Sequence, residues 1–244
     1  MKIGVIIQAR MKSTRLPGKV LMNLDEKKVL EWVVERCNKI NKIDGIVIAT
    51  SDQPEDDLIV DWCKNNNLNY FRGSETNVLQ RYIDCAEHYK FDYIIRVTSD
   101  CPFLDFEIAN QVVNLALMDT NFDLWAIKEN WSRGLAIEIA KLNALKKITT
   151  YTDEAMYKEH VTLYLYGNPD KFIKKDFYVP IERRFPQYRL TIDTLEDYEV
   201  CKIVAQKFGD ASVSCAEIFE YLINNPKIPK INRNINQEIV SGNI

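Results

Sequence analysis

The chain has 244 residues, 46% of them hydrophobic and 27% charged, with a formal net charge of −3. That length suits one α/β domain, read as 1–244, and the composition excludes a disordered chain. The slight acid excess provides no basic surface for nucleic acid or an anionic membrane, so neither is expected as a partner.

The six cysteines, Cys37, Cys63, Cys85, Cys101, Cys201 and Cys215, form no C-x-x-C pair and have only two histidines to join them in a zinc site. They read as buried thiols of a reducing cytoplasm. The apolar run Ile3 to Ile7 is cut off by Gln8 and Arg10, too short for a signal-peptide core or a membrane span. The expected location is cytoplasmic.

Apolar β-branched runs alternate with amphipathic stretches. The strand Ile3 to Ile7 is followed by a helix over 29–40, a strand over 45–49 and a helix over 54–66. Leu30, Val33, Val34, Cys37 and Ile40 share one helical face, and Ser51 or Asp52 before Pro54 supplies a cap and a first-turn proline. A short strand near Tyr70, a helix over 77–89, a strand over 92–97 and a helix over 105–118 continue the βαβ rhythm of a largely parallel sheet. Beyond lie predicted strands over 122–127 and 135–140, a helix over 153–166, strands over 172–178 and 188–192, and helices over 195–208 and 215–224. No linker separates the halves. Residues 226–244 show little periodicity and read as an extended or fraying tail.

From Met1 to Leu24 there are five basic side chains, Lys2, Arg10, Lys12, Arg15 and Lys19, and no acid. Four of them follow the first strand directly, at the carboxyl edge where open α/β sheets bind ligands. Such cations repel one another unless an anion sits among them, and a triphosphate offers oxygens for several. A solvated basic loop accounts for the composition equally well. Neither the dinucleotide-binding fingerprint nor the P-loop pattern is present.

The segment A-R-x-x-S-T-R-L-P-G-K, Ala9 to Lys19, closely resembles the signature loop of the sugar cytidylyltransferases, the synthetases of CMP-octulosonate and CMP-neuraminate, and above all the spore coat polysaccharide biosynthesis protein F type. The resemblance spans Ile3 to about Ala205. It implies a three-layer α/β/α sandwich with a Rossmann-like, mostly parallel sheet, as in nucleotide-diphospho-sugar transferases. It also implies that Ala9, Arg10, Ser13, Arg15 and Lys19 bind CTP, with Arg10 or Lys19 stabilising charge as pyrophosphate leaves.

Two further strands deliver an aspartate at the carboxyl edge: I-I-R-V-T-S-D-C-P-F ends on Asp100, and L-T-I-D-T-L-E-D carries Asp193. Read alone, each either caps the following helix or supplies a hard oxygen for Mg²⁺. The resemblance implies that Asp100 and Asp193 are the Mg²⁺ ligands, with Asp100 counted among the catalytic groups and Asp197 left as a helix-face charge.

Ser51, at the end of the second long strand, and Arg72, Gly73 and Ser74 resemble family segments beside the nucleotide. Arg-Gly-Ser is also an ordinary turn, and Arg81 an ordinary helix-surface position. In the acceptor half, R-G-L-A-I-E resembles the family's G-L-D-V-E segment, with Ala136 where an aspartate is expected, and E-H-V-T matches its counterpart. Glu138, Glu159 and His160 are therefore the candidate acceptor-binding residues, although a lone histidine in an amphipathic helix is more often a packed one. His88 and the tryptophans Trp62, Trp125 and Trp131 read as structural.

The expected reaction is in-line attack by an acidic sugar or related acceptor on the α-phosphorus of CTP, by a homodimeric enzyme using Mg²⁺ for surface polysaccharide synthesis. The alternatives are a metal-dependent glycosyltransferase consuming a nucleotide sugar and a non-catalytic nucleotide-binding subunit.

Overall fold

The computed structural model describes residues 1–128 and 131–235. In chain order the described strands are β1 (Ile3–Gln8), β2 (Asn23–Leu24), β3 (Lys27–Lys28), β4 (Gly45–Ser51), β5 (Asn69–Gly73), β6 (Tyr93–Thr98), β7 (Leu124–Ile127), β8 (Glu138–Lys141) and β9 (Lys174–Phe177). The helices are α1 (Val29–Cys37), α2 (Asp57–Asn65), α3 (Val78–Tyr89), α4 (Phe106–Met118), α5 (Leu142–Tyr151), α6 (Ala155–Glu159), α7 (Leu163–Gly167), α8 (Leu195–Phe208) and α9 (Cys215–Asn224). Seven strands form one sheet in the order β5-β4-β1-β6-β8-β7-β9, parallel except for β8, which runs antiparallel to both neighbours. β2 and β3 make a separate small hairpin.

Strand alternation generates the layers. Ile3, Val5, Ile7, Ile48, Ile95, Val97 and Ile139 point to one face and pack on α1, α2 and α4. Ile6, Val47, Ala49, Ile94 and Ala140 point to the other and pack on α3 and α5. The result is the expected three-layer α/β/α sandwich, with strands apolar on both faces because both are covered. A third cluster joins Leu16, Trp32, Phe103, Leu135, Leu190 and Ile192 to α8 and α9.

Several elements differ from expectation, each for a tertiary reason. The helix expected over 153–166 is two short helices, broken where Val161 turns into the core and Thr162 donates to Glu138 at 2.8 Å. The strand expected over 135–140 begins only at Glu138, because Leu135 faces the third cluster and its carbonyl accepts from the Asp105 amide at 2.9 Å. Residues 188–192 are buried apart from half-buried Arg189, yet form only an isolated bridge between Arg133 and Arg189. α5 was not among the expected elements; no capping side chain marks its start, since Lys141 makes no side-chain capping bond, and its Ala144, Leu145 and Ile148 are held in the core.

The beginning of the tail is packed. Ile228 and Ile231 lie against the third cluster, and buried Asn232 donates to the Arg189 carbonyl at 3.0 Å and to Asp197 at 2.9 Å. Burial and two hydrogen bonds hold this stretch despite its lack of periodicity. Residues 236–244 lie outside the described residues.

Candidate active site

β1, β4 and β6 run side by side and parallel, so the segments following Gln8, Ser51 and Thr98 emerge at one edge. The loop after β1 is shaped from within. Its Gly18 takes a left-handed φ of 71°, and the Gly18 amide donates to the Met11 carbonyl at 2.8 Å. The Met11 amide donates to Asp56 at 2.6 Å, and buried Asp56 also accepts from the Ser51 amide and hydroxyl. Leu16 anchors the loop in the core, which leaves Arg10, Lys12, Thr14 and Arg15 exposed.

These side chains wall a cavity of about 390 Å³ together with Ala9, Ser13, Lys19, Asp100, Glu159 and Asp193. The mutual repulsion of the loop cations is met by acids from elsewhere: Arg10 pairs with Glu159 at 3.1 Å, Lys12 with Glu75 at 3.4 Å and Arg15 with Asp193 at 3.3 Å. Lys19 is the deepest, 8% exposed, and its ammonium donates to Asp100 at 2.8 Å, Asp193 at 3.1 Å and the Ile192 carbonyl at 2.5 Å.

Burial alone would lower the pKa of Lys19, but Asp100 and Asp193 together outweigh it and hold the ammonium above its ordinary 10.5. Burial likewise pushes the Asp100 carboxyl up, and Lys19, with help from Thr98, brings it below the ordinary 3.8. Both groups are charged at neutral pH. Two carboxylates thus converge on a single cation position, and among the described residues no group of three or more His, Cys, Asp or Glu side chains is placed to hold a metal.

The capping question at Asp193 resolves onto its neighbour. The Thr194 hydroxyl accepts from the Asp197 amide and caps α8, in a reciprocal box with the Asp197 side chain. Asp193 is left facing the cavity, held by Arg189 at 2.6 Å. Asp197 is no helix-face charge: it is fully buried and accepts from Arg189, Asn232 and the amides of Asp193 and Thr194. It is the frame on which Asp193 is mounted.

A second cavity of about 570 Å³ adjoins the first, and the two share Thr98, Asp100 and Asp193. Glu138 and His160 line it, as does Ala136 at the position of the expected aspartate. Glu138 is committed to Arg96 at 2.9 Å, Thr162 at 2.8 Å and Tyr166 at 2.5 Å. Burial pushes the His160 pKa below 6.5, and Arg96 acts in the same direction while Glu159 opposes. Gly134 fixes this wall: its φ is +90°, and a Cβ there would stand 2.5 Å from the Leu190 backbone. That contact clamps Arg133 beside the Asp193 segment.

Four of the expected nucleotide-binding residues and one acceptor residue sit elsewhere than the sequence suggested. Glu159 faces the first cavity, drawn there by Arg10. Ser51 is buried against Asp56. Arg72 turns away to Asp57 and to the carbonyls of Ser51 and Gln53. Gly73 packs on the Arg81 side chain, and the Ser74 carbonyl accepts from Arg81 at 2.7 Å. These residues form the support behind the cavity, and Arg81, expected on the helix surface, is the side chain that lines it. Its spacing of three from Val78 and four from Cys85, both buried, was the signal that placed it on the inner face. Arg133 and Arg189 were also missed: neither belongs to a described helix or strand, and it is the bridge between them that sets them beside Asp193.

A family model described as cytidylyltransferase matches residues 4–218. The spore coat polysaccharide biosynthesis protein SpsF of Bacillus subtilis is 40% identical over 227 residues, covering 91% of this chain and 94% of that protein. The solved cytidylyltransferase from Leptospira borgpetersenii superposes with a TM-score of 0.88 at 35% identity, over 98% of this chain and all of that one. The CMP:2-keto-3-deoxy-manno-octonic acid synthetase solved with CTP shares the fold, with a TM-score of 0.66 at 14% identity over 85% of this chain and 100% of that one. The loop, the paired aspartates and these likenesses agree, and the chain belongs to the cytidylyltransferase family, the CTP-dependent nucleotidyltransferases.

Proposed function

We propose that the protein transfers CMP from CTP to an acidic sugar or related acceptor, releases pyrophosphate, and serves surface polysaccharide synthesis. The observation that carries this reading is the meeting of two cavities at Asp100 and Asp193. CTP occupies the first, with its triphosphate among Arg10, Ser13, Arg15 and Lys19, and the acceptor occupies the second. The α-phosphorus then lies at the junction, in line between attacking and leaving oxygens. The biosynthetic role rests on the likeness to SpsF.

Asp100 and Asp193 would hold Mg²⁺, which takes one or two carboxylates and completes its shell with phosphate oxygens and water. The donor set suits that ion, since both carboxylates already reach one cation, the Lys19 ammonium. When bound, Mg²⁺ supplies charge neutralisation along the phosphates. Lys19 and Arg10 stabilise the charge that develops on departing pyrophosphate. Arg133 and Lys128 give the acceptor cavity cationic side chains for an acidic acceptor. The working unit in this proposal is a homodimer.

The test is thermal stability with Mg²⁺ and each of CTP, UTP, ATP and GTP, followed by pyrophosphate release with acidic sugars. A ligand that binds only the folded state raises the midpoint by an amount set by its Kd. CTP should raise it, and both Asp100→Ala and Arg15→Ala should weaken the effect. No shift with any triphosphate, but one with a nucleotide-diphosphate sugar, would favour a glycosyltransferase.

A further inference from the structure

The family model ends at residue 218, whereas the chain runs on past α9 as an irregular segment, 225–235. Ile228 and Ile231 pack that segment on the third cluster, and Asn232 is 2% exposed within it. The contacts of this one asparagine lead to Asp193.

Asp193 uses its two oxygens differently. Oδ1 faces Lys19 at 3.1 Å and Arg15 at 3.3 Å, and Oδ2 accepts from Arg189 Nη2 at 2.6 Å. The direction of Oδ1 in the cavity therefore follows from where Arg189 stands. Arg189 is fixed at both ends: its guanidinium by Asp197, at 2.8 and 3.1 Å, and its carbonyl by Asn232 at 3.0 Å. Segment 188–192 belongs to no described strand, so a sheet ladder does not hold that carbonyl.

The same Asn232 nitrogen donates to Asp197 Oδ1 at 2.9 Å. Both partners are acceptors, so the nitrogen end of the amide faces them and both of its hydrogens are used there. One side chain thus ties the Arg189 backbone to the carboxylate that holds the Arg189 guanidinium. Ile228 and Ile231 supply the apolar burial of the segment, and what the amide adds is orientation.

We propose that Asn232 is a positioning residue for Asp193, setting through Arg189 and Asp197 the direction in which the Asp193 carboxylate meets Mg²⁺ and the triphosphate. The proposal rests on the reading of Asp193 as a metal ligand in a CTP site, and it makes the segment after α9 part of the working site.

Isothermal titration of the full chain with CTP, once in Mg²⁺ and once in EDTA, gives the factor by which the metal tightens CTP binding. Groups that orient metal ligands change metal affinity by roughly 10- to 100-fold, and Asn232 acts through a further residue, so Asn232→Ala should shrink that factor about 10-fold and leave CTP binding in EDTA unchanged. The number of sites counts folded molecules, which separates lost folding from lost positioning. Ile231→Ala loosens the packing of the segment but leaves the amide in place, so it should lower the melting temperature with the factor intact.

An intact factor in folded Asn232→Ala overturns the proposal, as does an equal loss of CTP affinity in Mg²⁺ and in EDTA. A matching loss of the factor in Ile231→Ala overturns it too, because packing and not the amide would then be responsible. If neither Asn232→Ala nor Asn232→Ser folds, Asn232 is a residue of the fold and the positioning role falls. If Mg²⁺ does not tighten CTP binding to the unaltered protein, the reading of Asp193 as a metal ligand fails, and this assignment fails with it.

Discussion

Lys19 is placed by two carboxylates ninety or so residues apart from each other in the chain, and its charge is what lets them approach. The folded pKa of Asp100 lies below its ordinary 3.8, so its contribution to stability is present above that value and lost as pH falls through the folded pKa. The folded pKa of Lys19 lies above 10.5, so its contribution is present below that value and lost as pH rises through the folded pKa. Asp100→Asn should therefore cost about 1–3 kcal/mol between these limits, reduced from a fully buried pair because Lys19 keeps Asp193. Urea unfolding of both proteins across pH should show the gap closing at either end; a gap that persists unchanged below pH 3.8 would contradict the pairing. At this scale the sequence pointed to Lys19, Asp100 and Asp193 through their motifs, but of Arg72 and Arg81 it is Arg81 that lines the cavity. Arg72 is held away from it by the carbonyls of Ser51 and Gln53 and by Asp57, tertiary partners that its own turn does not announce.

Among the elements, α8 shows how a helix start presents a cavity-facing carboxylate. Thr194 closes the helix, Asp197 returns the bond, and Asp193 is freed from capping. Thr194→Ala should cost about 1 kcal/mol, the ordinary value of a lost cap. Asp197→Asn should cost more, about 3–5 kcal/mol, because it removes the buried charge that Arg189, itself largely enclosed, is paired with. Thermal melts of the two variants check the ranking, and equal losses would show that Asp197 is only a capping residue. The expected bounds of α8 and α9, 195–208 and 215–224, are the observed ones, because the apolar periodicity that marks them is a local property. The break at His160 to Thr162 was not expected, because it is imposed by Glu138, which belongs to another strand.

On the whole-molecule scale, the sheet edge organises two cavities around one pair of aspartates, and the outer surface carries Tyr178 at 64% and Ile181 at 78% exposure. A homodimer would have these large apolar side chains to cover. Light scattering should then give twice the 28.5 kDa of one chain, and Ile181→Glu should reduce it; a single-chain mass at micromolar concentration would remove the dimer. The βαβ rhythm, the basic loop after β1 and the two strand-end aspartates were legible in the sequence alone, because alternation, helical period and short motifs act within one or two turns of chain, whereas the three-layer sandwich came from the family resemblance. Only the tertiary structure decided which side chains share a cavity. Arg36 is fully buried and bonds the carbonyls of Leu104, Ala211 and Val213, joining α1 to segments 68 and more residues away. No local pattern announces such a bond, since its partners are backbone carbonyls that every residue carries, and position in space is what selects among them.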